Sequence, residues 1–220
     1  MIFQHRQNNI SPSTINATNY TGIEVDIRSS PEGLVFNHDR LNFNQKYPLL
    51  INEVKNLGSK DIILNVKESG TEEELIQFFT ENTELYKTNF YFLDSQLPDI
   101  LKITKEYPEH AHRFIIRVSD METPNQKLLN LVNPELIWLD YSDFENFDYI
   151  EYCKFLFKSI DELSYRKLIL VSPELYSLDY RYITDKIASL YLELIFTNVG
   201  ERIGVCTKFP ELFNRTSYST

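Results

Sequence analysis

Residues 61–80, DIILNVKESGTEEELIQFFT, place a short apolar run directly before a longer amphipathic segment, and that pairing decides the fold. Asp61–Val66 is nearly continuous in Ile, Leu and Val, as in parallel strands buried on both faces. Thr71 followed by Glu74 has the spacing of a capping box, and Leu75, Ile76, Phe78 and Phe79 supply the apolar face of a helix over 71–80. Outward from this unit the same rhythm recurs. Apolar runs fall at Ile2–His5, Gly22–Ile27, Phe90–Leu93, Arg113–Val118, Leu136–Leu139, Lys167–Val171 and Leu194–Thr197. Helical patterns fall at Leu97–Glu106, with Pro98 at its start, and at Pro124–Val132, Tyr149–Leu163 and Asp179–Leu190. Strands alternating with helices predict a parallel α/β architecture, and eight strands is the number that closes a barrel. The chain has only six glycines and neither a GxGxxG nor a GxxxxGK[ST] pattern, which disfavours a doubly wound nucleotide-binding sheet. The expected fold is a single (β/α)₈ TIM barrel over residues 1–220.

Composition narrows the function. The net charge is −10, from 32 acidic and 22 basic side chains, which disfavours a nucleic-acid partner. Any phosphorylated ligand would need a cation or a local basic cluster to screen it. Cys153 and Cys206 have no metal-binding spacing and are expected to be reduced thiols. With no apolar run of membrane-spanning length and no signal-peptide pattern, no stable membrane insertion is expected, and a cytoplasmic setting follows by default. The oligomeric state is not legible.

In such a barrel the chemistry sits at the C-terminal ends of the strands. The first apolar run ends in His5-Arg6. Glu24 and Asp26, two apart on a strand, point to one face, so two carboxylates face the mouth if Ile23, Val25 and Ile27 pack outward. Side by side and partly buried they are costly, and a hard cation such as Mg²⁺ or Ca²⁺ relieves that cost. A solvent-facing pair in an edge strand, or a pair neutralised by Arg28, is the plainer alternative. His38, in Asn37-His38-Asp39, falls at the same end as His5, whereas His110 and His112 fall at the opposite rim. Two histidines can divide the proton transfers that phosphodiester cleavage needs. Arg6 and Lys67 bring positive charge, either to a phosphate or simply to Glu24 and Asp26. Among the aromatics near the strands, Trp138 shares a face with Asp140, and these two, with Asp94 and Glu174, are further candidates for lining the mouth.

The segment from His5 to Asp39, HRQNNISPSTINATNYTGIEVDIRSSPEGLVFNHDR, resembles the N-terminal signature of the glycerophosphodiester phosphodiesterases. That signature runs from His-Arg through a proline-led helix (here Ser11-Pro12-Ser13-Thr14) to a Glu-x-Asp strand and a Gly-containing turn ending in His-Asp. The resemblance implies a barrel and a divalent metal on Glu24 and Asp26. It also implies His5 and His38 as the acid–base pair and Arg6 on the phosphate. The sequence departs from the pattern in several places. The family's Glu-x-Lys is Asn65-Val66-Lys67, an amide that can ligate a cation but brings no charge. The glycine after His-Arg is Gln7, the segment after His38 is short, strand seven ends in Val171-Ser172-Pro173-Glu174, and the closing Thr-Asp is matched to Thr197-Asn198. The expected function is a metal-dependent phosphodiesterase acting on a small or lipid-derived phosphodiester. The alternatives are a weakened barrel that binds a phosphorylated metabolite without turnover, and an unrelated barrel acting on a sugar phosphate.

Overall fold

The computed structural model describes residues 1–8, 19–42, 44–54, 60–82, 89–176 and 181–214. Its centre is a ring of eight parallel strands: β1 (Ile2–Gln4), β2 (Gly22–Ser30), β4 (Asp61–Val66), β5 (Phe90–Leu93), β6 (Ile116–Val118), β7 (Leu136–Leu139), β8 (Lys167–Val171) and β9 (Ile203–Thr207). They lie side by side in the order β5-β4-β2-β1-β9-β8-β7-β6. A bridge from Phe92 of β5 to Phe114, with Ile115 N donating to Phe92 O at 2.8 Å, joins the two ends into a (β/α)₈ TIM barrel. A ninth strand, β3 (Gly33–Phe36), folds back antiparallel on the extended end of β2, with Ile27 opposite Phe36.

Strand alternation divides the core in two. Ile23, Val25, Ile27, Ile62 and Leu64 point outward and pack with helix residues such as Leu75, Phe79, Leu156 and Ile187. Phe3, Ile63, Tyr91, Leu93, Ile115, Leu136, Trp138, Ile169, Val171 and Cys206 point inward and fill the barrel. The interior is therefore packed, not a channel, and polar side chains are confined to its rims.

Three sequence expectations are corrected. Leu194–Thr197 is not a strand. Helix Arg181–Leu194 runs through Leu194 because its apolar period continues, burying Ile187, Ala188, Leu190, Tyr191 and Leu194. The eighth barrel strand is β9, sequence IGVCT, whose glycine and cysteine weaken its apolar signal. Gly204 gives close packing there: a Cβ would come within 2.8 Å of the end of the Ile169 side chain and 3.1 Å of Met1 O. The chain before β6 is a 3₁₀ turn over Pro108–Arg113, so that strand is shorter than predicted. Helix Thr71–Glu81 starts at Thr71 itself, with Gly70 at φ 88° preceding it, so the capping box is not formed. Leu97–Glu106 is a helix with Pro98 in its first turn, as predicted. Tyr149–Glu162 is capped by Asp148, which accepts from Ile150 N and Glu151 N. No described helix is long and apolar enough to cross a membrane. The predicted lead-in Ser11-Pro12-Ser13-Thr14 lies outside the described residues, as does the start of the predicted helix at 179.

Candidate active site at the barrel mouth

Parallel pairing sets the inward residues of β1, β2 and β4 side by side: Phe3 with Gly22, Glu24 with Ile63, and Asp26 with Asn65. At the C-terminal rim the interior therefore changes from apolar to charged. Glu24 and Asp26 are both buried, facing in as the Glu-x-Asp spacing predicts, while Val25 between them faces the helices.

Protein donors already surround both acids. Glu24 Oε2 accepts from Arg6 N at 2.8 Å and lies 3.5 Å from His5 Nε2, and its Oε1 accepts from Asn65 Nδ2 at 3.0 Å. Asp26 Oδ2 accepts from Asn8 Nδ2 at 2.9 Å and meets Arg6 Nε at 3.3 Å. Asp26 Oδ1 lies 3.0 Å from Lys67 Nζ, which also donates to Asn65 Oδ1 at 2.8 Å. Arg6 sits at φ 51°, a conformation costly for a side-chain-bearing residue. Its backbone N–H on Glu24 and its guanidinium on Asp26 hold it there.

Burial and the adjacent Asp26 carboxylate push the Glu24 carboxyl up to about 7. Burial, followed by the charges of Arg6, Lys208 and Lys67, holds the His5 imidazole down to about 3, although Asp26 pulls the other way. His5 and Glu24 therefore meet as a neutral ring and a carboxyl near its titration range, not as a full ion pair.

The structure gathers His5, Arg6, Glu24, Asp26, Asn65 and Lys67 into one network. His38 reaches the same rim but stands outside that network. Asn37 N donates to Asp26 O at 3.1 Å, which fixes the hairpin end beside β2, and Arg28 donates to His38 O at 2.9 Å. The half-exposed His38 ring pairs through Nδ1 with Asp39 Oδ1 at 2.9 Å. That contact holds the Asp39 carboxyl below its ordinary value. His110 and His112 lie at the opposite rim, as predicted.

Across the mouth, Arg117 bridges Asp94 at 2.6 Å and Asp140 at 3.2 Å, and Tyr176 donates to Asp140. Asp94 and Asp140 therefore do line the mouth, while Trp138 lies in the packed interior. Glu174 is buried at the end of β8, where Ser172, Thr184 and Thr207 donate to it. Two contributors escaped the sequence reading. Asn8 is the second polar residue after His5-Arg6 and has no pattern of its own. Lys208 would have been found had the eighth strand been placed at Ile203–Thr207.

Tested against a divalent cation, Glu24 and Asp26 fit. They are adjacent hard oxygen donors, Glu24 is destabilised by its neighbour, and buried Asp26 Oδ1 makes no hydrogen bond in spite of the ammonium beside it. Asn65 fits less directly, because its oxygen faces Lys67 and its nitrogen faces Glu24. Among the described residues, no group of three or more His, Cys, Asp or Glu is arranged to hold a metal.

No protein-family model matches the chain, and no curated protein does. Among solved structures, the chain is similar to a phosphodiesterase of Oleispira antarctica in complex with its product sn-glycerol-3-phosphate. The TM-score is 0.56 with 13% identity, over 99% of this chain and 95% of that one. At this identity the likeness bears on the barrel fold alone.

Proposed function

We propose that the chain is a metal-assisted phosphodiesterase that cleaves a small or lipid-derived phosphodiester at the mouth of its barrel. The observation that carries this reading is the convergence of His5, Arg6, Glu24, Asp26 and Lys67, from three adjacent strands and the turns that follow them, on one rim above the apolar packing of the barrel. In a chain of net charge −10 an anionic substrate needs such a local concentration of cations. The likeness to a phosphodiesterase holding a glycerol phosphate agrees with it.

In this reading Arg6 and Lys67 bind the non-bridging phosphoryl oxygens, Arg6 through its planar fork and Lys67 as a point charge. His5 and His38 form the acid–base pair. One ring accepts the proton of the attacking hydroxyl, from water or from the substrate itself, as the new P–O bond forms. The other gives a proton to the departing alkoxide as the old P–O bond breaks. Asp39 on His38 Nδ1 sets the orientation of that ring, so Nε2 is the ring atom assigned to proton exchange with the substrate. Glu24 and Asp26, with Asn65 as a neutral third ligand, would hold a divalent cation, Mg²⁺ or Ca²⁺, which when bound would supply Lewis-acid charge to the phosphoryl oxygens.

A second reading is that the barrel binds a phosphorylated metabolite without turning it over. The engagement of Asn65 with Glu24 and Lys67 favours it, since an uncharged, already bonded amide weakens a metal site. Purified protein incubated with bis(p-nitrophenyl) phosphate and millimolar Mg²⁺ or Ca²⁺ separates the two. The phosphodiesterase reading expects nitrophenolate release that is lost in both His5→Ala and His38→Ala, with circular dichroism unchanged. Turnover retained in either variant removes the acid–base pair. No turnover and no calorimetric metal binding by the native chain leaves the second reading.

A further inference from the structure

We propose that Lys208 is a phosphate-binding residue of this site and that the buried Glu174 positions it. The proposal rests on the phosphodiester reading of the mouth and extends it to the far side of His5.

The placement follows from strand register. β1 and β9 are parallel neighbours with Phe3 opposite Cys206, and both side chains lie inside the barrel. Two residues further along, alternation brings the inward direction round again, at His5 just beyond β1 and at Lys208 just beyond β9. His5 N donates to Thr207 O at 2.9 Å, so the pairing continues to the rim. Lys208 is thus the counterpart of His5 on the adjacent strand. Arg6 and Lys67 flank the acids on one side of His5, and Lys208 stands on the other.

Glu174 ties this lysine down at two points. Its Oε1 accepts from Lys208 N at 2.9 Å, and its backbone oxygen accepts from Lys208 Nζ at 2.7 Å. Glu174 is itself fixed by the hydroxyls of Ser172, Thr184 and Thr207. An ammonium has three N–H donors, and the Glu174 carbonyl takes one, which leaves two for an incoming anion. Lys208 is exposed, so those two donors are open to a ligand. A surface lysine ordinarily keeps its rotamer freedom. Here the backbone anchor removes much of it before the ligand arrives, which lowers the cost of binding.

Calorimetry with inorganic phosphate, and steady-state kinetics on bis(p-nitrophenyl) phosphate, test the assignment in the native chain, Lys208→Ala, Lys208→Arg, Glu174→Gln and the Glu174→Gln/Lys208→Ala double variant. The expected result for Lys208→Ala is at least a tenfold loss of phosphate affinity and a matching rise in KM, with kcat changed less. Lys208→Arg should restore most of both. Glu174→Gln should weaken phosphate several-fold alone and add nothing in the Lys208→Ala background, whereas a merely structural role would lower folding stability in both backgrounds alike. Phosphate affinity within twofold of native in folded Lys208→Ala overturns the proposal while native turnover keeps the phosphodiester reading intact. A native chain that neither binds phosphate nor turns over the diester overturns both.

Discussion

The side-chain amide of Asn65 donates to Glu24 Oε1 across 3.0 Å and accepts from Lys67 Nζ at 2.8 Å, so it links Glu24 to the ammonium that pairs with Asp26. A glutamate or aspartate here would bring a third negative charge to a hard-cation site, and charge count is a main determinant of affinity for such ions. Without metal, three crowded carboxylates repel and are poorly solvated. Asn65→Asp is therefore expected to lower the melting temperature in EDTA, to recover it on adding Mg²⁺ or Ca²⁺, and to bind metal at least tenfold more tightly than the native chain. Equal metal affinity in the two proteins, measured by calorimetry, would remove Asn65 from the ligand set.

Asn8 and Asp26 clasp each other reciprocally: Asn8 Nδ2 donates to Asp26 Oδ2, and Asp26 N donates to Asn8 Oδ1, both at 2.9 Å. Asn8→Ala strips a partner from a buried carboxylate and a backbone N–H at once. The expected cost is about 1–3 kcal/mol of folding stability. Turnover should fall further than stability explains, because Asp26 is then free to turn within the mouth. Denaturant midpoints paired with kcat at saturating diester check this, and native kcat in the variant would show that Asp26 needs no such support.

Close packing under the acids gives a third expectation. A Cβ on Gly22 would lie 2.5 Å from the Phe3 ring and 2.8 Å from Asp61 O, so β2 approaches β1 and β4 only because that residue has no side chain. Gly22→Ala should cost on the order of 2 kcal/mol, as overpacking does in a filled core. Glu24, two residues on, would shift with the strand. A melting temperature equal to native would show that Phe3 can move aside without cost.

Much of this arrangement was legible in the sequence. Two-residue periodicity put Glu24 and Asp26 on one face, and the His5-Arg6 run ended the first strand where the mouth begins. What failed did so for local reasons. Leu194 carried the apolar pattern of a helix end, whereas β9 hides behind Gly204 and Cys206, residues chosen for a close approach and for the barrel interior. Misplacing that strand set Thr197-Asn198 at the rim in place of Thr207-Lys208, and with it Lys208 was lost. The reciprocal bond of Asn8 with Asp26, and the turning of Asn65 toward Lys67, depend on side-chain geometry that spacing does not encode. The sequence likewise put His38 at the correct rim without showing that its ring pairs with Asp39.

Glu72 offers a test of burial against pH away from the proposed chemistry. It is buried at the start of helix Thr71–Glu81, and burial raises its carboxyl above the ordinary value of 4.5. The Ser95 hydroxyl and the backbone amides at the helix start pull the other way but are outweighed. Because the folded chain holds this proton more tightly than the unfolded chain, stability falls as pH rises from about 4.5 through the higher folded value. Below that window the side chain is protonated in both states and contributes no penalty. Glu72→Gln keeps the shape and cannot ionise, so it should be more stable than native at pH 7 by on the order of 1 kcal/mol, an amount set by the desolvation of a poorly bonded buried group. The loss of a favourable charge near a helix start trims that gain by a few tenths. The advantage should vanish at pH 4. Urea unfolding of both proteins at pH 4, 5.5 and 7 reads the difference directly, since every other titrating group is common to the two. A variant less stable than native at pH 7, or a gain independent of pH, would mean that Ser95 and the helix start already satisfy the Glu72 charge.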